Sequence, residues 1–305
     1  MSAFSEDPHC GPADPAFRTV HDMLISDSCT IQRRKVDPRM TTRRMSNLIN
    51  SKKLMINVAR AILVICIVAM WQLASSLNWV SNLVLPSPSA VVQALAEQTL
   101  NGDLPRALLE TSVSWFVGLA IALLVGGVSG LAIGANRLAL QSTRFVVDFL
   151  RSVPAVTLIP LALLLYGASL KMKLTIIVFG CTWDMFVQAL YASRQVDPVA
   201  HDTLRAFNLS RYDTFVALQL PSALPFLTTG VRLTAIHALL LSIGVELVAG
   251  VSGLGQELFL AGQHINGMPI MYAYIVVAGV AGVLLNEALT ALDEKLLYGH
   301  PGYRS

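Results

Sequence analysis

Six apolar runs, each close to the length that crosses a lipid bilayer, are the feature that most limits how this 305-residue chain can fold. They cover residues 61–77, 111–136, 152–170, 174–191, 233–249 and about 269–286. A transmembrane helix needs ~20 apolar residues, and no run has the apolar–polar alternation of a membrane strand. The sequence therefore predicts an all-α polytopic membrane protein with about six transmembrane helices.

The composition excludes several other classes of protein. Hydrophobic residues make up 54% of the chain and charged residues only 13%, about half the charged share of an average soluble domain. A disordered chain and an ordinary cytosolic enzyme are both excluded by this balance. The net charge of +3 is too small for a nucleic-acid-binding surface. The lipid bilayer is the expected surrounding, and no nucleic-acid partner is expected.

Charge divides the chain into three segments. Residues 1–53 are polar and basic, which predicts a mostly disordered tail; residues 54–295 hold the six spans, and 296–305 form a second tail. Basic residues outnumber acidic ones before the first span, so the positive-inside rule places both termini in the cytoplasm. Lys171 and Lys173 are exceptions to this rule, in a short outer turn.

A short helix is predicted in the first outer connection. Ser87 suits its N-cap and Pro88 its first position. Val91, Val92 and Leu95 then share one face, so we expect this helix to lie along the membrane surface.

The inner connection at 196–225 is longer than an ordinary link between two helices. Residues 198–207 predict a short helix that ends near Asn208. Ser210, with Asp213 three residues later, predicts a second helix that runs to Leu220-Pro221. Two short helices joined at a sharp turn have the right shape to dock into a groove on a partner.

Polar side chains inside the spans are the candidates for a transport pathway or gate. They are Asp184, Gln188 and Glu246. Ionisable groups are costly in lipid and usually face a cavity or a partner. A buried hydrogen-bonding role is the alternative for each acid.

Glu246 lies near the predicted outer end of the fifth span, just before Gly250 and Gly253, where we expect the helix to break. Its carboxylate should meet water whenever an outer gate opens. No Lys or Arg occurs between Arg232 and Lys295. We therefore expect its hydrogen-bond donors to be backbone amides freed at the glycine break, or a hydroxyl on a neighbouring span.

Small residues recur at every fourth position of the second run and predict a face against which another helix packs closely. They are Gly118, Ala122, Gly126, Gly130 and Gly134. His237 stands alone on its helix, so no metal site is predicted. No lysine follows a glycine, which excludes a Gly-Lys-Ser/Thr phosphate loop. We expect no catalytic residue and no cofactor in this chain.

The loop at 196–225 resembles the cytoplasmic signature of permease subunits of ATP-binding-cassette (ABC) importers. That signature is Glu-Ala-Ala, three residues, Gly, nine residues, Ile, one residue and Leu-Pro. The corresponding positions here are Asp202-Thr203-Leu204, Asn208, Leu218 and Leu220-Pro221. Asparagine is the residue that best replaces glycine in a left-handed turn.

Further segments are similar to the branch of this family that imports sulfonates, taurine, nitrate and related nutrients. They are LPSPSAV at 85–91, RSVP at 151–154, LIP at 158–160, PSALP at 221–225, and Glu246 followed by GLG at 253–255. The resemblance implies a permease of the bacterial cytoplasmic (inner) membrane that translocates a small, anionic nutrient.

The resemblance also implies partners. These are a second copy of the chain, ABC ATPase subunits that bind ATP and Mg²⁺, and an extracytoplasmic solute-binding protein. It implies that a cytoplasmic two-helix coupling loop contacts the ATPase. The contact residues would be Asp202, Leu204, Arg205, Asn208, Leu209, Ser210, Tyr212 and Pro221.

Two alternatives remain open. A secondary transporter without an ATPase would carry inverted repeats and broken helices at matching places. An intramembrane enzyme would need a nucleophile and a base paired within the spans. Neither pattern is seen in the sequence.

Overall fold

The computed structural model describes residues 38–77, 79, 81, 84–195, 199, 206–207, 210–214 and 218–297. Within these residues every regular element is a helix, which confirms the predicted fold class. The helices are α1 (Pro38–Ser76), α2 (Pro88–Leu100), α3 (Asp103–Gly134), α4 (Arg137–Ser152), α5 (Ile159–Tyr166), α6 (Leu170–Ala192), α7 (Arg211–Thr214), α8 (Leu220–Ala249), α9 (Leu254–Gln263) and α10 (Met268–Leu297), with a 3₁₀ turn at Ala155–Leu158.

The chain divides into two units, residues 1–67 and 68–305. In the first unit, residues 38–67 belong to α1. The sequence placed residues 38–53 in a mostly disordered tail, but they are helical. Proline fits the first turn of a helix, and the residues that follow it include good helix formers that lead directly into the apolar run. The remainder of the predicted tail, 1–37, lies outside the described residues.

Five helical segments are long and apolar enough to cross a bilayer. They are Val58–Ser76, Asp103–Gly134, Leu170–Ala192, Leu220–Gln263 and Met268–Leu296. A sixth candidate is a broken one: α4 and the segment Ala155–Tyr166 meet at an angle of 76°.

The span predicted at 152–170 is present, but it is not one unbroken helix: it begins with the 3₁₀ turn Ala155–Leu158 and continues as α5 to Tyr166. Pro154 interrupts it, because proline lacks an N–H and forces the preceding residue out of the helical conformation. Val153 is accordingly extended, with ψ at 115°. A second proline, Pro160, is placed in the first turn of α5, where it is tolerated.

The direction of α3 and α6 shows why a broken segment lies between them. A Cβ built on Gly118 would contact Ile177, and one built on Gly134 would contact Ser193. Residue numbers rise together along the two helices, so α3 and α6 are parallel. The chain between them must therefore return across the membrane. α4 lines a cavity with the last two turns of α6 and stays at that end, so the segment Ala155–Tyr166 makes the return, which gives six crossings in the described part of the chain.

The small-residue ladder of α3 lies in this parallel contact. A Cβ on Gly126 would overlap the Thr182 carbonyl, and one on Gly130 would overlap the Phe186 carbonyl. Ala122 is fully buried in the same face. The two backbones thus approach as closely as the ladder predicts.

α8 packs beside α6 in the opposite direction, as the paired residues described below demonstrate. The main hydrophobic core fills the space between α3, α6 and α8. Its largest fully buried side chains include Met172, Ile176 and Ile177. Two ends of this bundle can then be named. The loop end holds Gly134, Ala192 and Leu220, and the far end holds Thr111, Leu170 and Gly250.

α2 has the predicted start. Ser87 caps it by accepting a hydrogen bond from the Ala90 N–H (3.3 Å), and Pro88 occupies the first turn. Its buried face differs from the prediction, because Val91 is buried while Val92 is 64% exposed. Val91 packs instead with Ala94 and with Ala273 of α10.

Part of the predicted coupling loop is described. Ser210 caps α7: its hydroxyl accepts from the Asp213 N–H (3.1 Å) and donates to the Asp213 carboxylate (2.6 Å), as the capping box predicted. The prediction that Leu220-Pro221 ends this helix is wrong. Leu220 begins α8, and Pro221 lies in its first turn, where an N–H has no partner to lose.

Candidate functional site

Glu246 and Lys173 form a buried ion pair at the far end of the bundle. The Lys173 Nζ lies 2.6 Å from Glu246 Oε1, and the two side chains are 2% and 0% exposed. The ammonium also donates to the Ser252 carbonyl at 2.9 Å. Neither charge is in contact with water, so each depends on the other for its stability in this apolar setting.

Hydroxyl and amide groups complete the hydrogen bonding of the carboxylate. Thr111 of α3 donates to Oε2 at 2.9 Å, the Gly255 N–H donates to the same oxygen at 3.0 Å, and Ser242 donates to Oε1 at 3.2 Å. The Thr111 hydroxyl in turn accepts from the Leu254 N–H at 2.9 Å. We call these groups, with Lys173, the Glu246 network. It ties α3, α6, α8 and the start of α9 together.

Two glycines bring the backbone into this network. Gly250 ends α8 in the left-handed conformation (φ 63°), and its N–H is donated to the Glu246 carbonyl at 3.0 Å. Gly253 has a φ of 146°, and a Cβ built on it would overlap the Glu246 carboxylate. Only glycine lets the chain turn here and return its amides to the carboxylate.

The predictions for Glu246 are thus confirmed in part and corrected in part. The break at Gly250, the backbone amide donor and the hydroxyl from a neighbouring helix are as predicted. The cationic partner of Glu246 was not predicted, because only Lys and Arg residues near it in sequence, between 232 and 295, were considered. The partner, Lys173, comes from α6. Glu246 is fully buried in this structure, and its contact with water when an outer gate opens stays a prediction.

Lys173 gave a signal in the sequence that could have identified it. The sequence placed it in a short turn between two apolar runs, on the outer side, where the charge rule expects few cations; in the structure it instead lies in the first turn of α6 and is buried. An intramembrane lysine that breaks this rule usually needs a buried acid as partner. Glu246 is the acid predicted at the same depth of the membrane.

A second pair lies along the same α6–α8 contact. Asp184 Oδ2 and His237 Nδ1 are 2.5 Å apart, and their side chains are 38% and 39% exposed. His237 was expected to be alone on its own helix, and its partner Asp184 comes from the neighbouring α6, a contact that the sequence did not predict. Residue numbers rise from 173 to 184 along α6 and fall from 246 to 237 along α8. The helices are antiparallel, and the two pairs are separated by roughly 16 Å of α6.

Gln188 lies one turn beyond Asp184 on α6, towards the loop end. It is half-buried, and a Cβ built on Gly230 of α8 would press against its Cβ. The three predicted pathway or gate residues thus all lie at the contact of α6 and α8. Glu246 is sealed within it, whereas Asp184 and Gln188 are partly open.

Most of the predicted ATPase-contact residues lie outside the described residues. These are Asp202, Leu204, Arg205, Asn208 and Leu209, together with the side chain of Tyr212. Ser210 and Pro221 are described, as the cap of α7 and in the first turn of α8.

The arrangement of the site is that of a tie, in which charged and polar groups hold neighbouring helices in one position. Among the described residues, no group of three or more His, Cys, Asp or Glu side chains is placed to hold a metal ion. The Glu246 network pairs every charge that it buries, and it joins helices from different parts of the chain. A tie of this kind changes its energy when the helices move apart.

These features define a multi-pass helical membrane protein whose far end is joined by a buried ion pair. The profile of the family described as "Binding-protein-dependent transport system inner membrane component" matches residues 118–298. The chain belongs to this family and is a permease subunit of an ABC importer, of the nitrate, sulfonate and taurine branch.

The similar proteins support this assignment. One is the "Putative aliphatic sulfonates transport permease protein SsuC" of Escherichia coli (strain K12). It is 30% identical to this chain over 252 residues, which are 83% of this chain and 95% of SsuC. The taurine transport system permease protein TauC of the same organism is 24% identical over 239 residues, 77% of this chain and 86% of TauC.

A solved structure has the same fold. It is the MetNI methionine ABC transporter in an inward-facing conformation, with a TM-score of 0.55 and 20% identity, and the match covers 63% of this chain and 95% of the MetNI chain. At this identity the likeness concerns the fold alone.

Proposed function

We propose that this chain works as a homodimer in the bacterial inner membrane and that two separate ATPase subunits bind ATP and Mg²⁺ for it. A solute-binding protein delivers a small anionic nutrient to the far end. The observation that carries this proposal is the family match at 118–298, which includes the coupling loop and the Lys173–Glu246 pair.

The anionic solute is inferred from the relatives. Their names assign them to sulfonates, taurine, nitrate and bicarbonate. Three of these solutes are anions and taurine carries a sulfonate. Uptake into vesicles that contain the permease, its ATPase and its binding protein tests the proposal, with taurine, an alkanesulfonate, nitrate and bicarbonate compared. Transport of a cation or a sugar, and of none of these four, would contradict it.

The loop end is proposed to face the cytoplasm. Arg137, Arg144, Arg151 and Arg194 cluster there, in agreement with the charge rule that places both termini inside. On this orientation residues 196–225 meet the ATPase, and the Glu246 network lies ~39 Å of helix away from Leu220.

The homodimer is supported by the exposure of Asp184, His237 and Gln188. Polar groups in the membrane that are partly open must face water or protein rather than lipid. A second copy set against this side of α6 and α8 would enclose them and form the pathway between the two subunits.

The Glu246 network is proposed as the far-end gate. Its donors come from α3, α6, α8 and the start of α9, so the ion pair stabilises one arrangement of these helices. ATP-driven movement at the coupling loop would have to shift that arrangement to admit solute from the binding protein.

Two experiments test the partner assignment. The purified chain alone should not hydrolyse ATP, and hydrolysis should appear when the separate ATPase is added. Hydrolysis by the chain alone, abolished by a substitution within it, would contradict the proposal.

The second experiment tests the contact itself. Leu209→Asp should leave the permease inserted and dimeric but release the ATPase, because it places a charge in an apolar contact. Leu100→Asp, at an exposed position at the end of α2, is the matched control. Unchanged ATPase co-purification and uptake in Leu209→Asp would show that the coupling loop is elsewhere.

A further inference from the structure

Helix α4 has an apolar face that the described part of the chain leaves exposed. None of its residues is buried. Leu138, Phe145 and Phe149 are 75%, 81% and 60% exposed, and their spacing places them on one side of the helix. Such a face is stabilised by an apolar environment, which the acyl region of a bilayer supplies.

The same helix carries arginine at every seventh position: Arg137, Arg144 and Arg151. This spacing puts the three guanidinium groups on a common face, about a third of a turn from the Phe145 face. A helix with a basic face and an aromatic, aliphatic face is typical of a segment that lies in the membrane interface.

The arginine face borders a cavity of about 460 Å³ between α4 and the last two turns of α6. Arg144, Arg151 and Arg194 line it, with Gln141, Thr143 and Tyr191 among the polar groups around them. Asp148 also lines it and lies 3.8 Å from the Arg144 Nε. Among the described residues, no acid pairs with Arg151 or Arg194.

We propose that this cavity binds the phosphate headgroup of an anionic phospholipid, while Leu138, Phe145 and Phe149 lie in the acyl region of the same leaflet. Three arginines against one aspartate give the cavity a positive charge. Guanidinium groups bind phosphate oxygens with good geometry. Basic pockets between transmembrane helices bind acidic headgroups in this way.

The exposed apolar face favours a lipid over the other anions that could bind in the cavity. A soluble phosphate could neutralise the arginines but has no group to place against Phe145 and Phe149. A phospholipid satisfies both faces of α4 at once. The inference does not depend on the ATPase or on the solute, so it can fail while the proposed function holds.

The test uses the full chain, purified in a neutral detergent and stripped of lipid. Native mass spectrometry then counts the lipids retained from phosphatidylglycerol or from phosphatidylcholine. The wild-type chain should retain phosphatidylglycerol preferentially. Arg151→Gln and Arg194→Gln should each weaken its retention roughly fivefold, the effect expected for one basic residue near an anionic lipid.

Two matched variants control for general charge and for folding. Arg137→Gln removes the same charge from the same face of α4, but Arg137 does not line the cavity, so retention should be that of the wild-type chain. Arg151→Lys keeps the charge and should keep most of the preference. The melting temperature of each variant without lipid identifies any that fails to fold.

Several results would overturn the proposal. Equal retention of the two lipids would show that the site does not select for charge, and an equal loss in Arg137→Gln would show a diffuse effect. Displacement of phosphatidylglycerol by millimolar inorganic phosphate would indicate a site for a free anion. Normal lipid retention in Arg151→Gln, with loss of ATPase co-purification, would indicate a protein contact instead.

Discussion

The two ends of the helix bundle are built differently. At the far end, four segments share one buried carboxylate, and the Lys173 and Glu246 side chains are almost completely enclosed. At the loop end, α4 has no buried residue and its three arginines are exposed. The far end therefore holds its helices in a defined arrangement, whereas α4 at the loop end leaves an apolar and a basic face exposed in the described part of the chain.

This difference fits the division of work in an ABC importer permease. The end that meets the ATPase has to bind other components, while the end that admits solute has to open and close. A closely packed ion pair suits the second task, because it can be made or broken as a unit. The predictions below test whether the two ends differ in energy as they differ in structure.

The largest effect is expected for Lys173→Met. It leaves the Glu246 carboxylate buried without its counter-charge, which typically costs ~3–5 kcal/mol of stability. Lys173→Met combined with Glu246→Met should recover most of that loss, because the site is then apolar. Unfolding in detergent measures the stability of the single and of the double variant. A loss below ~1 kcal/mol in the single variant would show that the pair is solvated.

A smaller loss is expected for Gly253→Ala. Its φ of 146° is strained for any residue with a side chain, which alone costs ~1–3 kcal/mol, and the added Cβ would meet the Glu246 carboxylate. Gly250→Asn is the matched control, since its φ of 63° suits asparagine and no atom lies near its Cβ position. Equal stability of the two variants would contradict the packing described for this turn.

The contact of α3 with α6 is tested by Gly130→Ala. Its Cβ would overlap the Phe186 carbonyl, so a loss of ~1–3 kcal/mol is expected from overpacking. Gly127→Ala on the same helix makes only ordinary contact with Met185, at 3.5 Å. It should be neutral or slightly stabilising. Thermal unfolding of the two variants measures which one is less stable. A lower melting temperature for Gly127→Ala than for Gly130→Ala would contradict the described packing of α3 against α6.

The smallest change in stability is expected for Asp184→Asn. This acid and His237 are more than a third exposed, and ion pairs of that kind contribute ~0–1 kcal/mol. If the pair lines the pathway, uptake should fall while the melting temperature stays close to that of the wild-type chain. A large fall in melting temperature with normal uptake would assign it a structural role.

The sequence predicted the helical class, the number of crossings and the start of α2, because these depend on local composition and capping. Apolar run length also predicted one unbroken span at 152–170. It failed there because a single proline outweighed the hydrophobicity of its neighbours. Run length describes burial in lipid, whereas the conformation of the chain at Val153 is set by the residue that follows.

The Glu246 site was predicted only in part, for a different physical reason. Its local donors follow from the glycine break in the same segment. Lys173 lies 73 positions away in sequence, and its contact with Glu246 depends on α6 and α8 packing antiparallel at the right register. The same reason explains why the contact of His237 with Asp184 was not predicted, since Asp184 comes from α6.

Knowledge of Lys173 also changes what a conservative substitution should do. Glu246→Gln keeps the shape and the hydrogen-bond acceptor that the local donors need. It nevertheless leaves the Lys173 ammonium buried without a counter-charge, so we expect it to lose stability as Lys173→Met does.

The central claim is that the Glu246 network is the gate that couples ATP hydrolysis to solute movement. It is tested most directly in proteoliposomes that contain the ATPase and the binding protein, by measuring solute transported per ATP hydrolysed. The Lys173→Met, Glu246→Met double variant removes the tie without leaving a buried charge. We predict that it assembles and hydrolyses ATP, but that its transport per ATP falls roughly tenfold, a typical coupling effect. An unchanged ratio in an assembled double variant would show that the ion pair is not the gate.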